Sequence, residues 1–469
     1  MTALDPRPEM DLDGAPSRRE PIPLYDADDH GRVELPPLLP WHRRIWATKR
    51  LMHHNRLAVT MLAINAALAV YAIGPGGWFQ GDIALEAVAN VAIVNLTVAI
   101  GIRQQHVINL LFRVATAAPT SWPLSIRRVL GKVYHFGGVH VGGAIAGSLW
   151  FVVLLGSLGW HAATDRPGVS TGLIVVAAGL AALLGALIGF SIPTFRAAHH
   201  DLFERMHRFG GWMSLALFWV FTILFIDAGR GSTALGTAVG SSLGVWLLAL
   251  VTLSVALPWM RLKKVPVDIE RPSDHVALAR FDYGETPFAG SSTTLSRNPL
   301  LEWHSFANVP SPDRSGFRLT ISRAGDWTGQ FIDDMPSHVW VKGITTAGVG
   351  NVDRLFTRVV WVATGSGIGP TLPHLLAQEV PAHLVWATRD PWTTYGQGLV
   401  DEILDVEPNA TFWDTTAKGK PDMVKLTWQA VQAFDAEAVI CISNKTLTWK
   451  VVEGMERRGI PAYGAIWDS

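Results

Sequence analysis

Cysteine is nearly absent, and its scarcity removes several chemistries at once. The 469-residue chain holds one, Cys441, so it can form no intramolecular disulfide and no Cys-based zinc or iron–sulfur site. Its setting, Ala-Val-Ile-Cys-Ile-Ser, reads as a buried strand with Cys441 in the core. Excess charge is lacking too. The 39 Lys and Arg balance the 39 Asp and Glu, so no basic field exists to recruit nucleic acid by phosphate neutralisation. The first forty residues contain no apolar core of the length a secretory signal needs. Rich in Pro and Asp, residues 1–40 are expected to form a disordered cytoplasmic tail.

Apolar length is abundant. A membrane-crossing helix presents about twenty mostly apolar residues, because lipid offers its backbone no hydrogen-bond partner. Six stretches approach or meet this: 57–73, 83–102, 133–158, 169–192, 209–226 and 234–260. From Arg261 onward the composition is that of an ordinary soluble domain, which predicts a six-helix transmembrane domain over 41–262. Sixteen Lys and Arg flank these stretches on the side of the N-terminal segment, and only Arg166 and Arg230 on the other. By the positive-inside rule both termini are expected in the cytoplasm of an integral membrane protein, with membrane lipid as a partner.

Histidines gather where the third and fifth stretches leave the cytoplasm: His135 and His140 in Tyr-His-Phe-Gly-Gly-Val-His, and His207 in Phe-Glu-Arg-Met-His-Arg-Phe-Gly-Gly-Trp. An ionisable group at membrane depth costs free energy and is a functional candidate, and imidazole is the usual axial ligand of b-type haem. His207 is the first candidate ligand, with His140 or His135 opposite. The glycines beside them would leave room for a flat macrocycle, or serve close helix packing.

Four patches carry chemistry in the soluble half. Glu302-Trp-His304-Ser-Phe306-Ala-Asn308 is a turn after a barrel strand. Phe317 to Gln330 is an alternating strand ending in Arg323-Ala-Gly325-Asp-Trp-Thr328, with Thr328 placed to cap a helix whose N-terminus suits a pyrophosphate. In Arg358-Val-Val-Trp-Val-Ala-Thr-Gly365-Ser-Gly367-Ile-Gly369-Pro370 a buried strand enters a glycine turn and then a helix, the pattern of a dinucleotide site. His383-Leu-Val-Trp-Ala-Thr-Arg389 is the next parallel strand, ending in an arginine that can meet the adenosine ribose or its 2′-phosphate.

This ordered set resembles the ferredoxin-reductase superfamily, and with six helices in front it is similar to the ferric reductase and NADPH oxidase family, closest to its TmpA-type integral membrane branch. The resemblance implies a FAD-binding β-barrel over 263–352 and a Rossmann-like α/β nicotinamide-nucleotide domain over 353–469. It implies that His304, Phe306, Arg323, Gly325 and Thr328 hold FAD, and that Gly365, Gly367, Gly369, Pro370 and Arg389 hold NADPH or NADH. Trp467 becomes a candidate to stack on the isoalloxazine, and Phe203-Glu-Arg-Met-His207 is similar to the family's fifth-helix haem segment.

Three departures stand out. Ser443-Asn444-Lys445 replaces the superfamily's Cys-Gly-Pro, and Ser305 and Ala307 replace the Pro and the hydroxyl residue of the flavin motif. Counting 13 or 14 residues on from His135, His140 and His207 gives no second histidine, so one inner haem is expected at most. The resulting expectation is an NAD(P)H oxidoreductase passing electrons through FAD to an unidentified acceptor. A haem-free anchored reductase for a lipid-soluble substrate, or a non-catalytic nucleotide-binding sensor, stands as the alternative.

Overall fold

The computed structural model describes residues 34–164, 166, 169–311 and 315–465. The chain divides into two compact units. One comprises Arg50–Leu110 and Tyr134–Leu262, the other Met1–Lys49, Leu111–Val133 and Lys263–Ser469. Residues 41–49 and 111–133, which the sequence reading assigns to the membrane half, thus fold with the C-terminal part.

The first unit is helical: α1 His53–Ile73, α2 Leu85–Gly101, α3 Gly137–Ala163, α4 Thr171–Phe190, α5 His200–Gly229 and α6 Leu243–Met260. Among the described residues five helices are long and apolar enough to cross a membrane, and up to six if α2, bent by 70° from the following helix Gln105–Thr116, counts with it as one. The expected 234–260 stretch is two helices. Ser242 takes an extended ψ of 120° between Leu235–Ser241 and α6, so the span proper is shorter than the apolar run.

Small residues let the helices approach closely. A Cβ on Gly138 would stand 2.1 Å from the His54 carbonyl oxygen, one on Gly142 2.7 Å from that of Ala58, and one on Gly143 3.0 Å from that of Asn95. These glycines therefore seat α1 and α2 against α3 and do not clear space for a macrocycle. Gly211 has nothing near it. Asn65 and Asn95 exchange side-chain hydrogen bonds of 2.8 Å, and Trp150 Nε1 donates to Asn65 Oδ1 at 3.0 Å. Below them Phe151 packs on Phe218 and Phe221 with centroids 5.4 and 5.2 Å apart.

The second unit begins with β1 Leu262–Pro266, β2 Asp268–Ser273, β3 Val276–Phe281, β4 Ser292–Ser296, β5 His304–Ala307, β6 Val309–Pro310, β7 Phe317–Ser322 and β8 His338–Lys342. They form two four-stranded sheets, ordered β1-β8-β4-β5 and β2-β3-β7-β6. Alternate residues, among them Ala277, Ala279, Phe281, Leu319 and Ile321, point into one core shared with Phe331 and Ile332.

Then come β9 Val359–Thr364, β10 Ala382–Thr388, β11 Thr411–Asp414, β12 Ala438–Ile442 and β13 Ala462–Gly464, an all-parallel sheet ordered β11-β10-β9-β12-β13. Strands β9 and β12 are buried on both faces, which is why they read as unbroken apolar runs. Cys441 is buried in β12 as expected, and burial pushes its thiol up to about 12.

The segment 111–133 is clamped to this sheet. Arg127 makes paired bonds to Glu437 (2.7 and 3.0 Å) and donates to the Leu355 carbonyl. Arg128 and Lys132 both reach Glu456, at 2.7 and 3.0 Å, and Lys132 lies 4.3 Å over the Tyr463 ring. Burial opposes ionisation of Glu456, yet Lys132 and Arg128 beside it hold its carboxyl below the usual range.

Candidate functional site

β7 ends at Ser322 and the chain turns through Arg323-Ala324-Gly325 into a helix, α7 Asp326–Asp334. The helix starts three residues earlier than the sequence reading has it, with Gly325 as N-cap. Thr328 is therefore not the cap. Its Oγ1 accepts from the Ala324 and Gly325 amides at 2.9 and 3.1 Å, which closes the first turn from inside. The N-terminal end of α7 borders an open cleft of about 470 Å³, lined by Arg323, Ala324, Gly325, Asp326, Gly329, Gln330 and Asp333. Orphan amides and the helix dipole make such an end receptive to an anion.

Arg323, expected to reach the FAD, is engaged elsewhere. Its guanidinium donates to Asp333 at 3.0 and 2.6 Å, and its Nε to the Asp274 carbonyl at 2.9 Å. That hydrogen bonding raises its pKa and lowers the pKa of Asp333. Held by Asp333 and the Asp274 carbonyl, the side chain lines the cleft.

His304 and Phe306 come together as expected, around a ring the sequence reading passed over. Trp327, in the first turn of α7, stacks on His304 with centroids 4.2 Å apart and lies 6.0 Å from Phe306 and 5.3 Å from Phe331. Glu302 Oε1 accepts from Trp327 Nε1 at 2.6 Å and fixes the indole. The result is a half-buried aromatic platform beside a helix N-terminus. Only its position in the Gly-Asp-Trp-Thr turn could have drawn attention to Trp327.

The glycine turn lies at the carboxyl end of β9, where the strand order reverses toward β12. Ligands bind in such a crevice. Gly365 has φ +48°, a left-handed conformation that favours glycine. A Cβ on Gly367 would stand 2.0 Å from the Ile442 carbonyl oxygen, and one on Gly369 3.2 Å from that of Thr320. Pro370 sits in the first turn of α8 Ile368–Ala377, where a missing N–H costs nothing. Thr364 and Ser443 bring their hydroxyls into contact across the ends of β9 and β12. The segment that replaces Cys-Gly-Pro is an N-cap: Asn444 Oδ1 accepts from the Leu447 amide at 3.0 Å and starts α9 Lys445–Glu456.

Arg389 lies exposed at the end of β10. Asp390 turns instead to Thr393, accepting from its amide and hydroxyl at 3.2 and 2.6 Å. His275, a lone histidine in a Ser-Asp-His turn that carries no sequence motif, meets Tyr395 edge-on with ring centroids 6.1 Å apart. Burial and the charges of Arg323 and Arg389 lower its pKa. Trp467 lies outside the described residues.

In the helical unit His140 and His207 face each other with ring centroids 6.2 Å apart, at 71°. His140 Nδ1 is 2.8 Å from the Ala99 carbonyl, a bond that makes Nδ1 the donor and leaves Nε2 its lone pair. His135 is not part of this pair. It is buried against Tyr134 and His53, with centroids 4.2 and 5.9 Å away. His161, not singled out from sequence, is buried 21 residues beyond His140, near the other end of α3.

Residues 349–469 match the family model described as Adenylate-forming reductase 03009, C-terminal domain. Two curated proteins of Coprinopsis cinerea are similar over 417 residues, which is 89% of this chain and 40% of theirs: Adenylate-forming reductase 06235 at 41% identity and Adenylate-forming reductase 03009 at 42%. The chain thus spans about 40% of the length of these relatives. Among solved structures, a ferredoxin NADP+ reductase from Neisseria gonorrhoeae with bound FAD and NADP covers 44% of this chain and 98% of its own, at 13% identity and TM-score 0.36. The Amycolatopsis cytochrome P450 reductase GcoB covers 43% and 69%, at 14% identity and TM-score 0.33.

Proposed function

We propose that this chain is a membrane-bound NAD(P)H oxidoreductase in which a FAD module, carried on a six-helix bundle with both termini cytoplasmic, passes electrons to a membrane or cytoplasmic acceptor. The observation that carries the reading is the approach of two backbone turns with no side chain between. Gly367 lies against the Ile442 carbonyl at the strand-order switch, and Gly369 lies against Thr320 at the end of the barrel strand that leads into α7. A nucleotide bound along the first turn is thereby directed at the platform of His304, Phe306 and Trp327.

FAD fits the residues present. The amides at the start of α7 would face its pyrophosphate, and the half-buried rings would flank a flat heterocycle. Bound there, FAD would supply hydride acceptance and onward electron transfer. The chain's own residues bind and orient. Arg389 offers a cationic contact and His275 a hydrogen-bonding imidazole to the nucleotide, Thr364 and Ser443 present hydroxyls where the nicotinamide end would lie, and Glu302 locks the indole.

A b-type haem fits one feature, the His140–His207 pair with its Ala99 carbonyl, and would supply one-electron acceptance within the bundle. His140 and His207 would be its ligands, and His135 would not. The glycines of α3 add no room for it.

The relatives' names favour a second reading of the acceptor, an adenylated substrate.

The decisive experiment is an absorbance spectrum of purified protein before and after anaerobic NADPH. Flavin bands that bleach on addition, and that no longer bleach in Gly367→Val with flavin content retained, are expected. Protein without flavin, or a Gly367→Val variant that bleaches as fast as wild type, sinks the reading.

A further inference from the structure

The segment between α2 and α3 has two unlike faces. One is locked to the parallel sheet through Arg127, Arg128 and Lys132. The other is apolar and open. In the helix Gln105–Thr116, Ile108, Phe112 and Ala115 are buried while Leu110 and Val114 are 58 and 67% exposed. In the next stretch Trp122, Ile126 and Val129 are 46, 44 and 60% exposed. The two faces are tied together, because Arg127 Nε donates to the Trp122 carbonyl at 2.7 Å.

We propose that residues 105–130 are a membrane-surface anchor, with Leu110, Val114, Trp122, Ile126 and Val129 set into the interfacial layer of an anionic bilayer. The inference rests on the reading of α2 and α3 as membrane spans. Three observations select this occupant. Both ends of the segment continue into apolar helices, so both are held at one membrane face. No Asp or Glu occurs between Glu86 and Asp165, while Arg113 stands exposed beside Val114. The chain also turns by 70° at the start of the segment, as a helix must on leaving the bilayer normal for its surface. An amphipathic helix with exposed apolar side chains, an interfacial Trp and basic residues is the composition such a surface retains.

The same segment carries the ion pairs of Arg127 with Glu437 and of Lys132 with Glu456.

The test uses the full chain. Cys441 is buried with its thiol pushed up to about 12, so it leaves a quiet background for single labels. Val114→Cys, Val129→Cys and, as a solvent control, Lys420→Cys are spin-labelled and reconstituted in vesicles of phosphatidylcholine and phosphatidylglycerol. Collisions with oxygen, which concentrates in lipid, are compared with collisions with a water-soluble nickel chelate. The expected result is an oxygen-to-nickel ratio above one at 114 and 129 and below one at 420. Protein that floats with the vesicles but shows a ratio at 114 and 129 like that at 420 overturns the anchor alone. Exclusion of both reagents at 114 and 129 also overturns it, pointing to a protein cover such as a second copy. Protein that does not float overturns the membrane reading and the anchor with it.

Discussion

At the scale of single residues, chemistry was legible where the backbone demands a particular amino acid. Gly365 and Gly367 could be read because a positive φ and a 2.0 Å approach to a carbonyl admit little else. Charged side chains were harder, since nothing in Arg323 announces that Asp333, ten residues on, takes its guanidinium. The same holds for His275, whose neighbours come from other strands. Two outcomes follow. Gly367→Ala should cost about 1–3 kcal/mol of stability by overpacking against Ile442 and raise the KM for the nucleotide more than it lowers kcat, as thermal unfolding and steady-state kinetics will show. Arg389→Ala should weaken NADPH more than NADH, because a guanidinium pairs well with a 2′-phosphate. The same change removes one of the charges that lower the pKa of His275, so its titration by NMR should move back up toward the ordinary histidine value.

Elements were read well where periodicity or apolar length governs, and poorly where one residue redirects the chain. All six apolar stretches are helical, yet Ser242 divides the last and the first turn of α7 begins at Asp326. Segment 111–133 groups with the C-terminal part through Glu437 and Glu456, partners more than three hundred residues away that local composition does not reveal. Glu456→Gln leaves Lys132 and Arg128 with no carboxylate in a nearly dry site, and should destabilise the C-terminal unit by roughly 3–5 kcal/mol, measurable as a lowered denaturation midpoint. The pH dependence has a definite sign. Hydrogen bonding from Arg127 lowers the pKa of Glu437, and Lys132 and Arg128 overcome burial to lower that of Glu456. Folded-state values below the unfolded ones mean that this stabilisation is fully present above the usual glutamate range and is lost as pH falls through the depressed values. Acid unfolding of wild type and Glu456→Gln should therefore converge at low pH. In the helical unit Gly138→Val drives a side chain into the His54 carbonyl and should part α1 from α3, seen as loss of a monodisperse detergent-solubilised peak.

For the whole molecule, the order of parts could be read from sequence: apolar helices, antiparallel sheets, parallel sheet. Their chain continuity could not, because composition is local and folding partners are not. The helical unit holds two neighbouring histidine pairs near the start of α3, His140 with His207 and His135 with His53, while toward the other end of α3 stands the buried His161. With no histidine pair at that other end among the described residues, electrons are expected to leave on the side of His140 and His207. NADPH supplied to sealed, oriented vesicles should reduce a membrane-impermeant acceptor on its own face and not on the opposite one. Rapid reduction across the bilayer that depends on His207 would contradict this.

The clamp also sets a timetable for biosynthesis. Lys132 leaves the ribosome 324 residues before Glu456, an interval of roughly 16–65 s at about 5–20 residues per second. During that wait three cations of a future core are solvated beside a finished or half-finished bundle, and the sheet that will cover them does not yet exist. The helical unit is thus complete in sequence first, and the C-terminal unit is assembled backwards onto a segment left out for it. A nascent chain arrested before residue 437 would display Arg127, Arg128 and Lys132 as an open basic hook, a transient state that a chaperone or protease could distinguish from the completed protein.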